Sequence, residues 1–268
     1  MAIDYGFKLA LDIFGDFFIR FLEERGLVKN VQFIRSYGPV EITVQKRPLR
    51  TDYVFCINDY LYVIIEAKSE KDHVEDEDIF KVLLYTIGIA MRKRIPPKDL
   101  GNQFLVTIIA PYRKNFRCEL NMISAGIYHI PTVIPIYALV VEEIKLEEEI
   151  IWFKVLSKSG RQELYRYALE KGIFKILGIL ILIDEDIRRL AMTDEKIIGE
   201  AIREIGETLG YDKLIRIFAE HEEELVKVLR EIGETLGYDK LIRIIVDVFK
   251  IAPETVRKEL MKKLSGSS

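Results

Sequence analysis

The sequence predicts an α/β domain followed by an all-helical C-terminal appendage. Three observations carry that expectation: an apolar helical period near the start, a run of short β-branched and aromatic segments up to Lys68, and a helical pattern after about Glu147 that contains a verbatim internal duplication. Among the 268 residues, 49% are hydrophobic and 31% charged, with only 8 prolines, which excludes a disordered or low-complexity chain. The net charge of −3 provides no global attraction to a polyanion, so any such site has to be local. The longest apolar stretches, Pro131 to Val141 and Gly172 to Ile183, are too short to span a bilayer, and no basic-then-apolar leader opens the chain. A cytoplasmic protein without a membrane partner is expected. Cys56 and Cys118 lack metal-ligand spacing and the three histidines are scattered, so neither zinc nor a disulfide framework is indicated. Four glutamines and five asparagines beside abundant Ile, Glu, Lys and Arg suggest a thermophile.

The elements follow in order. Phe7, Ala10, Leu11, Phe14, Phe17, Phe18, Phe21 and Leu22 share a helical period that stops at Gly26, predicting a first helix over 5–25. Val31 to Ile34, Glu41 to Lys46, Tyr53 to Ile57 and Leu61 to Ile65 read as consecutive strands separated by Tyr-Gly-Pro, Arg-Pro and Asn-Asp. Glu75 to Arg94 predicts a second helix, with acids in its first turn and Arg92, Lys93 and Arg94 in its last, as the helix dipole favours, before Pro96-Pro97 ends it. Phe104 to Ala110 and Thr132 to Val141 complete the domain as two buried strands.

The expected division is a core at 1–146 and an appendage at 147–268. Within the appendage, helices are expected over Leu164 to Glu170, Ile173 to Ile183 and from Thr193 onward. The segment REIGETLGYDKLIRI stands at Arg203 to Ile217 and again at Arg230 to Ile244, a period of 27 residues. Gly210 and Gly237 are expected to cap helix ends, and Asp212 and Asp239 to start the next helices. Two copies are too few for a solenoid, so a small bundle is expected, packing on the core or forming a homodimer through the appendage.

Chemistry concentrates in Arg50 to Glu70, RTDYVFCINDYLYVIIEAKSE. Asp52 heads one strand and Glu66-Ala67-Lys68 ends the next. Because strand side chains alternate, Glu66 and Lys68 project to one face. If the hairpin loop around Asn58 and Asp59 has three or five residues, Asp52 pairs with Glu66 and the carboxylates stand about 5 Å apart; a two-residue loop puts Asp52 on the wrong face. Two such acids repel unless a cation lies between them, and a hard divalent ion suits their oxygens. Mg2+ is the natural ion, with Mn2+ as a substitute. A lysine beside it can hold the attacking water and stabilise charge building on a phosphate.

The segment resembles the PD-(D/E)xK nuclease superfamily, in which an Asp, a strand and a Glu-x-Lys follow an acidic helix. Asp52-Tyr-Val-Phe and Ile64-Ile-Glu-Ala-Lys-Ser69 are similar to the nuclease domains of type I restriction subunits and to archaeal Holliday-junction resolvases, over roughly residues 5–110. The resemblance implies a restriction-endonuclease-like mixed sheet flanked by helices and a Mg2+-dependent endodeoxyribonuclease. It makes Asp52 and Glu66 catalytic metal ligands and puts Lys68 at the attacking water. The alternative is an inactive nuclease-like protein that binds DNA or scaffolds, with the helical tail mediating assembly.

The resemblance also implies a further acid from the first helix, where Asp12, Asp16 and Glu23 form one stripe; Asp16 lies ten residues before Gly26, near the resolvase position, and is chosen as the fourth catalytic residue. Where many members carry Gln-x-x-x-Tyr on the next helix, this chain has Lys81 and Tyr85, assigned with Arg50 to the DNA substrate. The acidic run Asp72, Glu75, Asp76, Glu77 and Asp78 reads as the dipole-favoured first turn of that helix rather than as a second metal site. Lys46, Arg47 and Arg50, Arg92 to Arg94 and Arg113 to Arg117 could supply the local positive surface that DNA requires.

Overall fold

A computed structural model describes residues 2–44, 47–144, 151–191, 194–209, 230–235 and 237–249. It is a mixed α/β structure that divides into two compact units, residues 1–161 and 162–268. The expected division at 146/147 lies in an undescribed stretch, and the segment after it belongs to the first unit. The reason is aromatic packing: Trp152 and Phe153 are buried, Trp152 against Phe7 and Phe14 at 5.8 and 5.9 Å between ring centroids, and Phe153 against Phe18 at 5.7 Å.

The first unit opens with α1 (Ala2–Glu24), whose apolar stripe supplies those rings. A seven-stranded sheet follows in the order β1-β4-β5-β6-β9-β8-β7, from β1 (Ile34–Gly38), β4 (Tyr53–Ile57), β5 (Leu61–Ala67), β6 (Phe104–Ala110), β7 (Asn121–Ser124), β8 (Ile127–Ile130) and β9 (Ile136–Val140). Its centre is parallel, β5 with β6 and β6 with β9, and its two margins are antiparallel. The crossover from β5 to β6 runs through α2 (Asp76–Lys93) and the short α3 (Leu100–Gln103). Parallel pairing needs both faces covered, which is why β6 is a continuous apolar run, FLVTIIA, buried at all its positions. One face carries Val54, Cys56, Tyr62, Ile64, Val106 and Ile108 and packs against Val82, Tyr85 and Ile89 of α2. The opposite face carries Tyr53, whose hydroxyl donates to Asp12 of α1. A separate hairpin, β2 (Glu41–Val44) with β3 (Arg47–Arg50), rests on α2 through Ile42 and a hydrogen bond from Arg92 to the Glu41 carbonyl at 3.0 Å.

Several sequence expectations shift. The first strand forms at 34–38 rather than 31–34, because the amides of Gln32 and Phe33 are taken by the Asn58 side chain instead of a neighbouring strand. Pro48 reads as a breaker but sits in β3, opposite Thr43 in a two-stranded ribbon that needs no second partner for its missing donor. The 132–141 strand shortens to 136–140, since Thr132 uses its hydroxyl on the carbonyls of Ile130 and Ile134 in a turn. β7 and β8 were not expected; each strand is only four residues long, and β7, Asn-Met-Ile-Ser, is not an apolar run.

In the second unit, α4 (Lys158–Lys171) enters from the first, followed by α5 (Phe174–Ile183), α6 (Glu185–Ala191), α7 (Glu195–Leu209), a helical stretch at 230–235 and a final helix, Tyr238–Phe249. α5 is apolar nearly all round and buried from Ile176 to Ile181. Arg188, also buried, closes the end of α5 with bonds to the carbonyls of Ile181 and Leu182 and pairs with Glu231 at 3.0 Å. Residues 210–217 of the first repeat copy, including Gly210 and Asp212, lie outside the described residues. In the second copy Gly237 takes φ +92°, its amide closing on the Gly233 carbonyl at 2.9 Å, as expected of a glycine cap. Its own carbonyl accepts from Leu241, so Gly237, and not Asp239, precedes the final helix; Asp239 falls inside the first turn.

The β7–β8 turn depends on Gly126. It has φ +74°, and a Cβ there would lie 2.8 Å from the Ile144 amide and 2.9 Å from the Val140 carbonyl, backbone atoms that cannot swing aside. Gly126→Ala should therefore cost about 1–3 kcal/mol of stability. Urea unfolding monitored by circular dichroism checks this; an unchanged midpoint would show that the turn relaxes.

Candidate functional site

The β4–β5 hairpin sets the site. Ile57 pairs with Leu61, leaving a three-residue loop, Asn58-Asp59-Tyr60, in which Asn58 and Asp59 both take left-handed conformations at φ 52° and 60°. Asn and Asp tolerate that region better than other residues with a side chain, because their short polar groups bond locally. The loop is odd, so the register that pairs Tyr53 with Ile65 continues one step to set Asp52 opposite Glu66. The Asp52 carboxylate accepts the Ala67 amide at 2.8 Å, tying the head of β4 to the end of β5.

Glu66 shares the α2-facing side of β5 with Tyr62 and Ile64, and its side chain is 4% exposed. Two ammonium groups meet it. Lys81 Nζ lies 2.8 Å from Glu66 Oε1, and Lys68 Nζ lies 3.5 Å from the same oxygen. Lys68 is also held by Asp78 Oδ1 at 2.6 Å. Among the described residues, Glu66 Oε2 is buried and has no hydrogen-bond partner, and the buried Tyr85 hydroxyl has none either. Lys81 Nζ stands over the Tyr85 ring, 5.5 Å from its centroid.

Electrostatics follow from this burial. Desolvation raises the Glu66 pKa above its ordinary value, Asp52 raises it further by repulsion, and Lys81 and Lys68 oppose both. For Lys81, burial pulls downward, but its pairing with Glu66 more than offsets that, and its pKa is raised. Carboxylates (Asp52, Glu66, Asp78) and ammonium groups (Lys68, Lys81) thus meet at one end of β5. Among the described residues, no group of three or more His, Cys, Asp or Glu side chains could hold a metal ion. An ion here would have Asp52 and Glu66 as its protein ligands and complete its shell with water or phosphate oxygens, a familiar arrangement for Mg2+.

No family model, curated protein or solved structure matches the chain.

The structure thus brings together Asp52, Glu66, Lys68, Lys81 and Tyr85; two other expected site residues, Asp16 and Arg50, make no contact with these five among the described residues. Asp16 is exposed on α1, the helix on the other side of the sheet, and the α1 acid that touches a strand is Asp12, through Tyr53. The stripe containing Asp12, Asp16 and Glu23 could not be resolved by periodicity, because the acid that reaches the sheet is selected by the position of a tyrosine hydroxyl. Arg50 is exposed at the end of β3, in the ribbon outside the main sheet. Lys46 lies outside the described residues. Arg92, Lys93 and Arg117 make separate local contacts, to the Glu41 carbonyl, to Tyr37 and Tyr62, and to Glu75.

The residue that sequence reasoning missed is Asp78. It closes a capping box at the start of α2, its Oδ2 accepting the Glu75 amide at 3.1 Å, while Oδ1 holds Lys68. The signal was present as an acid three residues after Glu75, read only as a dipole effect. The other acids of that run disperse: Asp72 accepts from the Ser69 amide and hydroxyl, and Glu75 pairs with Arg117.

Asp52→Asn keeps an oxygen for the Ala67 amide but removes the charge that repels Glu66, so the Glu66 pKa should fall toward the ordinary 4.5. A glutamate with a raised folded pKa contributes stability that is full below 4.5 and is lost as pH climbs through the raised value; Asp52→Asn should narrow that window from above. Carboxyl carbon-13 titration of both proteins checks this. An unchanged Glu66 midpoint would show that burial alone sets it.

Proposed function

We propose that this chain is a metal-dependent endonuclease that hydrolyses DNA phosphodiester bonds, with a restriction-endonuclease-like core and a site at the Asp52–Glu66 end of β4 and β5. The observation that carries the reading is Glu66 Oε2: a buried carboxylate oxygen with no hydrogen-bond partner, opposite a second acid and beside two lysines. Leaving such an atom unsatisfied costs about 1–3 kcal/mol or more, a cost that a ligand cation removes.

Asp52 and Glu66 fit Mg2+ through their oxygen donors and the unpartnered Glu66 Oε2, and the ion, when bound, would polarise the scissile phosphate and acidify water. The chain's own residues supply the rest. Lys68 is positioned between Asp78 and Glu66, so its ammonium group can hold the attacking water and steady charge growing on the phosphate. Hydrolysis forms a bond from water oxygen to phosphorus, with that water's proton passing to solvent, and breaks the bond to the leaving deoxyribose oxygen, which takes a proton from solvent. Lys81, at 39% side-chain exposure, can exchange Glu66 for a phosphate oxygen, and the Tyr85 ring beneath it limits where that ammonium group travels.

One observation favours a second reading, a DNA-binding or scaffolding protein without catalysis. Both lysines are already engaged by acids, and a nuclease has to release at least one of them when it binds substrate.

Lys68→Ala should lower plasmid nicking by at least about a hundredfold while leaving DNA affinity and Mg2+ binding close to the parent's, because the lysine acts on developing charge. Asp52→Ala and Glu66→Ala should instead lose Mg2+ binding, since each removes a ligand. Nicking assays beside calorimetric Mg2+ titration measure both. Undiminished cleavage by Lys68→Ala would overturn the mechanism, and a parent protein inert on supercoiled, branched and single-stranded DNA would favour the scaffolding reading.

A further inference from the structure

Lys68 meets Asp78 only if residues 69–75 bring the start of α2 back to the end of β5. That loop is Ser-Glu-Lys-Asp-His-Val-Glu; Val74 is buried and the rest are exposed or half-buried. Apolar packing therefore holds it at one point. Much of its remaining attachment comes from a single side chain. Asn115 lies in a short 3-10 turn, Arg113–Asn115, just past the end of β6, and is 1% exposed. Its Nδ2 donates to the carbonyls of Asp72, Glu70 and Ser69 at 2.6, 3.3 and 3.4 Å. An amide has two hydrogens, so the short bond takes one and the two longer bonds share the other. Oδ1 accepts the Tyr112 amide at 3.0 Å, which fixes the way the side chain faces. The backbone adds a bridge between Val74 and Phe116, in which the Asn115 carbonyl accepts the Val74 amide at 2.7 Å and the Arg117 amide donates to the Val74 carbonyl at 2.9 Å.

We propose that Asn115 is the positioning residue for Lys68. By fastening residues 69–72 to the end of β6, it keeps the start of α2 where Asp78 Oδ1 takes the Lys68 ammonium group at 2.6 Å. The turn at 112–115 does not itself call for asparagine, since an aspartate oxygen would accept the Tyr112 amide equally well. The loop does, because three carbonyls need a donor and a carboxylate would repel them. Asp52 and Glu66 are aligned by the β4–β5 register instead, so the metal-binding acids and the lysine have separate supports. The consequence for cleavage rests on the proposed nuclease activity; the placement of Lys68 does not. If Lys68 acts on the attacking water, a small displacement of its ammonium group lowers turnover while leaving DNA and Mg2+ affinity in place.

Two variants of the full chain test this. Asn115→Ala removes the donor, and Asn115→Asp replaces it with a charged acceptor of the same shape that still meets the Tyr112 amide; should one fail to fold by circular dichroism, the other decides. Asp78→Asn, which keeps an acceptor for the start of α2 and gives up the charge on Lys68, is the reference. The first readout needs no activity. In nitrogen-15-labelled protein at low temperature, the Lys68 ammonium group should give a proton–nitrogen correlation, identified by its loss in Lys68→Arg, because its bond to Asp78 slows exchange with water. That signal should broaden or vanish in both Asn115 variants and in Asp78→Asn, while the Lys81 signal persists. The second readout is plasmid nicking. Each Asn115 variant should lower kcat by about tenfold to a hundredfold, with KM for DNA and Mg2+ affinity within about twofold of the parent's. Adding Asp78→Asn to Asn115→Ala should cost little further rate, because both act through one lysine. An unchanged Lys68 signal in the Asn115 variants overturns the proposal, as does loss of the Lys81 signal with it, which would mark a general loosening, or rate losses that multiply. A parent that nicks no DNA defeats the nuclease reading instead, and the two ammonium signals then decide the placement by themselves.

Discussion

The loop between β4 and β5 has three residues, and the parity of that number determines what the sheet presents to α2. Side chains change face at every step along a strand, so one residue more or fewer would turn Asp52 toward α1 while Glu66 stayed where it is. The two acids would then lie on opposite sides of a buried sheet, one of them without solvent or partner. Two consecutive left-handed residues, Asn58 and Asp59, hold the loop at this length. The Asn58 side chain also ties down the chain before β1, through the Gln32 and Phe33 amides and the Asn30 carbonyl. The edge of the sheet and the alignment of the site therefore share one support.

Glu66 is the costly part of the arrangement. A carboxylate at 4% side-chain exposure is tolerated when it is paired, and here the pairing is lopsided, with both ammonium groups at Oε1 and nothing at Oε2. An ion pair kept only for stability would be expected to satisfy both oxygens, and hydrophobic residues of similar size would stabilise this position as well or better. The apolar residues immediately before it, Val63, Ile64 and Ile65, are fully buried, so the strand delivers the acid to the edge of a well-packed core.

Much of this was legible in the residues themselves. The two long helices and β4, β5 and β6 follow from strong periodicity or long apolar runs, and parity made the Asp52–Glu66 relation conditional on a loop length that the structure then met. What escaped was set by tertiary neighbours. β7 and β8 are four residues each, too short for alternation to stand out. Pro48 lies in a strand because its ribbon has only two members. Asp16 was chosen from its distance to Gly26, whereas contact with the sheet went to Asp12 because Tyr53 reaches that far. Asp78 was visible as an acid in a first turn, but its bond to Lys68 depends on how α2 returns across the sheet, which local sequence does not encode.

Asp78 divides its two oxygens between two tasks, one ending a helix and the other holding Lys68. Substitutions at such a position are read by selection twice. Asn could retain the cap while weakening the hold on the ammonium group, and Glu could retain the charge while changing its reach. Neither substitution can drift freely for the sake of one task without being judged on the other. Divergent copies of this chain should therefore vary freely at Asp76 before they vary at Asp78, and a lineage that abandons the chemistry should show it first in the partners of Lys68, while the helix itself persists.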